Sequence, residues 1–207
     1  AAGLRALVGA ELAVGASEAL ARRLLLLVES PRGYRELSRL CTLAHAGDRK
    51  PAQPPHSEPR ISWEQLEQHA SGLVALARGD AQLDPPWLAR AQQIFGAGSG
   101  SGAGRLWVDV SRHLTRSAAL ASQRAVAIAE KFGIPIVASG DVRHARPEGR
   151  RLFDALVCLR EKTSLDRAGS KLAENAERHL QPRAEMRRRF ADRPRVDAGE
   201  QHEGVRV

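Results

Sequence analysis

Short apolar runs alternate along the chain with segments of helical spacing. The run LLLLV at 24–28 is continuous and is followed by Ser30, Pro31 and Gly33, the pattern of a buried strand closed by a turn. Residues 5–14 read as a strand or a bent pair of strands, and 73–77, 105–110 and 134–138 as further strands. Between them, Tyr34, Leu37, Leu40, Cys41 and Ala44 recur at helical spacing and predict a helix over 32–45. Pro31 sits near its first turn, where a missing N–H costs little. Ser62 with Gln65 three residues on forms a capping box for a short helix that Gly72 ends. Pro85 and Pro86 open a helix running to Phe95. The clearest helix covers 115–132, with Leu120, Arg124, Ile128 and Phe132 as its stripe and Gly133 as its stop. Pro147 opens another over 148–160, and a last one covers about 183–191.

The connecting segments are distinct in composition. Pro51, Pro54, Pro55 and Pro59 make 47–59 a loop, and GAGSGSGAG at 96–104 is flexible by composition. No internal repeat is evident. Repeated alternation of helix with continuous apolar strands predicts an α/β domain with a mainly parallel sheet or barrel.

Composition narrows the class. A chain of 207 residues fits one domain, or one with an appendage. A hydrophobic content of 43% excludes global disorder, and only 4% aromatics leaves Leu, Val, Ile and Ala to build the core. Cys41 and Cys158 are isolated thiols, not a CxxC pair, and predict a reducing compartment. The opening AAGLRALVGAELAV lacks the parts of a signal peptide, and LLLLV is far too short to span a bilayer, so a cytoplasmic protein without a membrane partner is expected. The chain starts without Met and almost inside a strand, which predicts a fragment. Net charge is +8, and all but four of the 32 basic residues are arginine. Such a balance permits phosphate neutralisation on nucleic acid. Coding bias explains arginine-rich usage equally well.

In parallel α/β folds, reactive side chains collect at the C-terminal ends of strands. By that rule the candidates are Glu11, Asp109 with His113, Asp141 with His144, and Gly79 with Asp80. Carboxylates and imidazoles at successive strand ends are what a divalent-metal hydrolase needs. The plainer alternative is that each acid caps the next helix or binds one of the many arginines. His45, His56, His69 and His202 are scattered and read as surface residues, and Asp154 and Glu161 lie among helix charges. Arg187, Arg188 and Arg189 read as a solvated helix face, with a phosphate-contacting patch as the alternative. There is no Walker loop, no GxSxG and no zinc-type spacing.

The stretch VASGDVRHARPEGRRLFDALVCLREKTSLDRAG, then NAERHL at 175–180 and AEMRRRFAD at 184–192, resembles the end of the PHP (polymerase and histidinol phosphatase) domain of bacterial C-family DNA polymerases, closest to their error-prone, translesion branch. Earlier pieces resemble that family in order: GLRALVGAELAV, RLLLLVESPRGYRELSRLCTLAH, ISWEQLEQHASGLVALARG and LWVDVSRH. The resemblance implies a PHP-type distorted (β/α)7 TIM-like barrel, incomplete because the first strand region is missing. It implies a barrel fragment over 1–160, the start of a linker or helical region over 161–194, and a disordered tail over 195–207. The tail, DAGEQHEGVRV, has no helical apolar stripe, and a frameshift or truncation near Arg193 would explain it.

In active members of the family a metal cluster at the strand ends hydrolyses phosphoesters, including DNA 3′ ends; in others the domain is an inactive scaffold. Glu11 and Asp141 match ligand positions, whereas Arg23, Gly79 and Arg143 stand where His, Cys and His are expected. The opening His-x-His motif would lie upstream of Ala1. His144, Asp109 and His113 remain as substitute ligands. The resemblance thus implies no cofactor here, with Zn, Mn or Mg only if the site is active and Mg for the parent polymerase. Arg23 and Arg143 are expected to pair with Glu11 and Asp141 as a salt-bridged relic of a metal centre. The implied partners are DNA, the remainder of the polymerase chain, a sliding clamp and other translesion proteins. Three functions follow: a non-catalytic scaffold piece of an error-prone polymerase, a metal-dependent phosphoesterase or 3′–5′ exonuclease, and a basic nucleic-acid-binding module.

Overall fold

The computed structural model describes residues 6–17, 19–46, 59–96 and 104–193. The loops 47–58 and 97–103 and the tail expected over 195–207 lie outside the described residues, as do His56 and His202. Strands β1 (Gly9–Val14) and β2 (Arg22–Val28) lead into helix α1 (Pro31–Ala46). A two-residue strand β3 (Arg60–Ile61), which the apolar pattern did not predict, precedes α2 (Trp63–His69). Then come β4 (Leu73–Arg78), α3 (Pro85–Phe95), β5 (Leu106–Ser111), α4 (Arg116–Phe132) and β6 (Ile136–Ser139). The chain continues through a 3-10 turn at Pro147–Gly149 into α5 (Arg150–Arg160), α6 (Leu165–Ala168) and α7 (Arg183–Arg189).

The six strands form one sheet in the order β3-β1-β2-β4-β5-β6. The sheet is mainly parallel, as expected, with β2 the one reversed strand: its pairings with β1 and with β4 are antiparallel. The connection from β1 is too short for a crossover helix, so the chain can only turn back on itself. The β1–β3, β4–β5 and β5–β6 pairings are parallel.

Strand alternation builds the core. Leu24, Leu26 and Val28 of β2, Leu73, Ala75 and Ala77 of β4, and Leu106, Val108 and Val110 of β5 are buried. They share one cluster with Leu37 and Leu40 of α1, Leu66 of α2, Leu88 and Ala91 of α3, and Ala125, Val126 and Ala129 of α4. Each fully buried leucine stabilises the fold by about 2 kcal/mol. Phe190, just after α7, joins the same cluster and Met186 packs against it, so α7 packs back on this core.

Local signals set the helix ends. Gln65 donates its amide to Ser62 Oγ at 3.2 Å and its side-chain oxygen accepts from the Ser62 amide at 2.8 Å, completing the capping box. Asp84 caps α3 by accepting from the Trp87 amide at 3.1 Å. Thr115 caps α4, and Gly133 ends it with φ of 64°, where a β-carbon would be strained. The expected stripe of α4 holds in its second half, where Ile128 and Phe132 pack against the core, and is corrected in its first. Leu120 and Arg124 are exposed, and the buried face is Ser122, Ala125, Val126 and Ala129. Steps of four residues drift by about 40° each around an α-helix, so such a row leaves the contact face. Small residues instead let the helix lie close to the sheet. Among the described residues no helix is long and apolar enough to cross a membrane. Cys41 and Cys158 are both free thiols.

Candidate functional site

Strand register brings several charged residues to one edge of the sheet. Arg78, the last residue of β4, lies opposite Asp109 of β5, which lies opposite Val137 of β6. Antiparallel pairing turns the start of β2, with Arg23, toward this same edge, since Leu24 faces Ala77. Alternation along β4 places Val74, Leu76 and Arg78 on the face opposite the helix-covered core.

Arg78 sits at the centre. Its guanidinium reaches Glu11 Oε1 at 3.3 Å, Asp80 Oδ2 at 3.3 Å and Asp141 Oδ2 at 3.1 Å. Asp141 also takes Arg143 on Oδ1 at 2.8 Å and Arg178 on Oδ2. Glu11 takes Arg23 at 3.4 Å. The two pairings anticipated above, Arg23 with Glu11 and Arg143 with Asp141, are therefore both present. They belong to a larger lattice of four guanidinia and three carboxylates. Burial opposes the charge on Arg78, but Asp141, Glu11 and Asp80 outweigh it and hold its pKa above the ordinary arginine value. Asp141 adopts a left-handed backbone with φ of 39°, which aspartate tolerates better than most residues, and its amide donates to Ser139 Oγ at 3.3 Å.

The neighbouring strand end behaves differently. Asp109 Oδ1 is buried without a hydrogen-bond partner among the described residues, and so is His113 Nε2. Burial, above all, raises the Asp109 pKa; a hydrogen bond from Ser139 opposes this and the nearby Asp141 charge adds to it. Burial, then the positive field of Arg178, lowers the His113 pKa to about 4. His113 is therefore neutral at pH 7.

Gly79 closes the edge from below. A β-carbon there would sit 2.6 Å from the Asp109 carbonyl oxygen and 3.0 Å from Ala125 Cβ, and its amide already donates to that carbonyl at 2.7 Å. His144 is engaged away from Asp141: its Nδ1 lies 2.9 Å from the Arg146 carbonyl oxygen and its ring stacks on His179 at 6.4 Å. Among the described residues no group of three His, Cys, Asp or Glu side chains converges to hold a metal ion. Glu11 and Asp141, the two residues at matching ligand positions, do not fit a divalent cation. Their lone pairs are directed at guanidinia, and Arg78 brings a fixed positive charge between them.

Two cavities adjoin the lattice. One of about 380 Å³ is bordered by Arg78, His113, Asp141, Asn175 and Arg178. The other, of about 660 Å³, is bordered by Arg23, Arg143, Arg160, Lys171 and Arg178.

Sequence reasoning missed Arg78 and Arg178. The alternation of LVALAR, which puts Arg78 on the face with Val74 and Leu76, was the available signal for the first. Arg178 comes from a loop far along the chain and carried no local signal. Two minor readings are corrected as well. His69 is half-buried and lies 2.7 Å from Glu36, a hydrogen bond that holds the Glu36 pKa down. Arg189 is not a solvated residue: its side chain is only 10% exposed and binds Glu177 and Glu185, because α7 turns this position inward while Arg187 and Arg188 stay exposed.

No family model matches the chain. Similarity to individual proteins is extensive. Nearly the whole chain aligns with one segment of error-prone DNA polymerases. It is 36% identical over 197 residues to the error-prone DNA polymerase of Anaeromyxobacter dehalogenans, covering 93% of this chain. The polymerase of Pseudomonas fluorescens is 34% identical over 184 residues, or 87% of this chain, and that of Mycolicibacterium paratuberculosis 32% identical over 210 residues, or 93%. The chain spans about 16% of the length of the Anaeromyxobacter and Pseudomonas polymerases and 18% of the Mycolicibacterium one. These relatives support reading it as a piece of such a polymerase.

Proposed function

We propose that this chain is the PHP-type domain of an error-prone DNA polymerase, acting as a non-catalytic scaffold within a parent that synthesises DNA during replication and repair. The observation that carries the scaffold reading is the saturation of Asp141 by Arg78, Arg143 and Arg178. The guanidinia supply the positive charge that a metal cluster would otherwise supply to the strand-end carboxylates, which keeps the edge rigid without Lewis-acid chemistry. The proposal includes barrel closure by parts of the parent beyond these residues. It also includes DNA, the rest of the polymerase and a sliding clamp as the parent's partners, the cytoplasm as its location and Mg as the parent polymerase's ion. The phosphoesterase reading lacks support from the geometry, since Gly79 has no room for a ligand side chain and His144 faces elsewhere.

A second reading has its own supporting observation. A third cavity, of about 620 Å³, is bordered by Arg22, Arg23, Arg60 and Arg124, and adjoins the lattice through Arg23. A nucleic-acid strand with its phosphodiesters resting along these cavities would make this piece a basic nucleic-acid-binding module.

Metal content and DNA cleavage test the first reading. The purified, folded chain is expected to hold less than a stoichiometric amount of Zn or Mn, and to leave a 3′-ended DNA strand uncut with either ion. Stoichiometric metal, with cleavage abolished by Asp141→Asn, would overturn it. Strand binding that weakens steeply with added salt, without cleavage, would favour the module.

A further inference from the structure

Helix α5 has two unlike faces. Val157 and Cys158 are buried, and Phe153 and Asp154 are half-buried beside them. On the other side, Leu152 is 67% exposed, Leu156 54% and Leu159 74%, with the exposed Ala155 between them. The spacing 152, 155, 156, 159 is the i, i+3, i+4, i+7 pattern by which one helix packs against another. Leu165, the first residue of α6, is 56% exposed and extends the apolar surface beyond the end of α5. Scattered exposed leucines need no explanation, but a contiguous helical seam of them marks an interaction surface.

The rim says what kind of helix fits. Arg151, Lys162 and Arg167 are exposed around the seam, against Glu148 and Asp166, and Arg160 beside them is paired with Glu161. The nearby carboxylates of Asp154 and Glu161 are already taken, by Arg150 and by Arg160 with Lys171. A second copy of this chain would set like charges against each other along the rim. An acid-flanked helix would meet complementary charge.

We propose that the Leu152–Leu156–Leu159 seam of α5 is the docking site for an amphipathic helix with acidic flanks, carried by the part of the parent polymerase outside these residues. More than four-fifths of the length of the Anaeromyxobacter dehalogenans relative lies outside the aligned segment, which supplies the source. The proposal rests on the polymerase reading but not on its non-catalytic part, so the metal and cleavage assay fails or holds independently of it.

The test uses peptides tiled across the remainder of that relative, with a scrambled peptide and a lysine-flanked leucine peptide as controls, titrated onto the whole chain. Sedimentation of the chain alone is run alongside. The expected result is a monomer that captures an acid-flanked amphipathic segment at least tenfold more tightly than either control. Leu156→Glu, at an exposed position, should leave circular dichroism unchanged and weaken capture at least tenfold. Capture of no segment above the controls would overturn the proposal, as would capture indifferent to Leu156→Glu. Concentration-dependent dimers abolished by Leu156→Glu would assign the seam to a second copy and overturn it too.

Discussion

The ends of β4 and β6 and the end of β5 lie side by side, yet they handle polar groups in opposite ways. At the first, Asp141 and Arg78 each meet opposite charge several times over. At the second, Asp109 and His113 are pushed toward their neutral forms and each keeps one buried atom without a partner. Pairing and neutralisation are the two ways of keeping a titratable group out of water. Their stabilities respond differently to mutation and to pH, so the contrast can be broken experimentally.

The largest effect is expected from Asp141→Asn. It takes one counter-charge from each of three guanidinia, Arg78 keeping Glu11 and Asp80, and should lower unfolding free energy by about 3 kcal/mol, read by urea titration at pH 7. An unchanged midpoint would mean that the lattice is decoration. Next comes His113. Its folded pKa is about 4 against an ordinary 6.5, so between these values the unfolded chain binds a proton that the folded chain refuses. The stability it contributes is fully present above pH 6.5 and is lost as pH falls toward 4, by about 3 kcal/mol. In His113→Asn this part of the acid destabilisation should vanish, and an identical pH profile would refute the assignment.

Asp109→Asn should act in the opposite sense to Asp141→Asn. The raised pKa of Asp109 means that the folded state holds a proton the unfolded state releases, so stability drops as pH rises through the folded value. An uncharged amide escapes that loss, and the variant should be more stable than the parent chain at pH 8, with the gain disappearing near pH 3. A destabilised variant at pH 8 would show that Asp109 is charged and partnered after all. The smallest effect belongs to Arg23→Ala. Its side chain is 45% exposed and its pair with Glu11 spans 3.4 Å, so the loss should stay under about 1 kcal/mol and shrink further in salt. A larger loss would extend the paired regime to the solvent-exposed rim.

Local chemistry made the helices legible before any coordinates. Ser62 with Gln65, the proline pair before Phe95, and Gly133 each act within a few residues, and each stands where the pattern put it. The direction of β2 was not legible, because a continuous apolar run looks the same in either orientation. The face of α4 was misjudged in its first half because alanines seal it while Leu120 points to water. At the site, the Glu11–Arg23 and Asp141–Arg143 pairs came from family resemblance, which marked two arginines as out of place. Arg78 and Arg178 had no such mark in a chain crowded with arginine. Their roles depend on strand register and on a distant loop, which no short window of sequence contains.

The packing at Gly79 bears on how this edge can evolve. Any residue with a β-carbon meets the backbone of β5 there before its side chain can reach the lattice, so overpacking would come first, at about 1–3 kcal/mol. Selection would see the lost stability in the first step and a new function only after β5 had also shifted. Single substitutions of the arginines around Asp141 do not meet this steric barrier, while the route to a new side chain from the end of β4 stays shut.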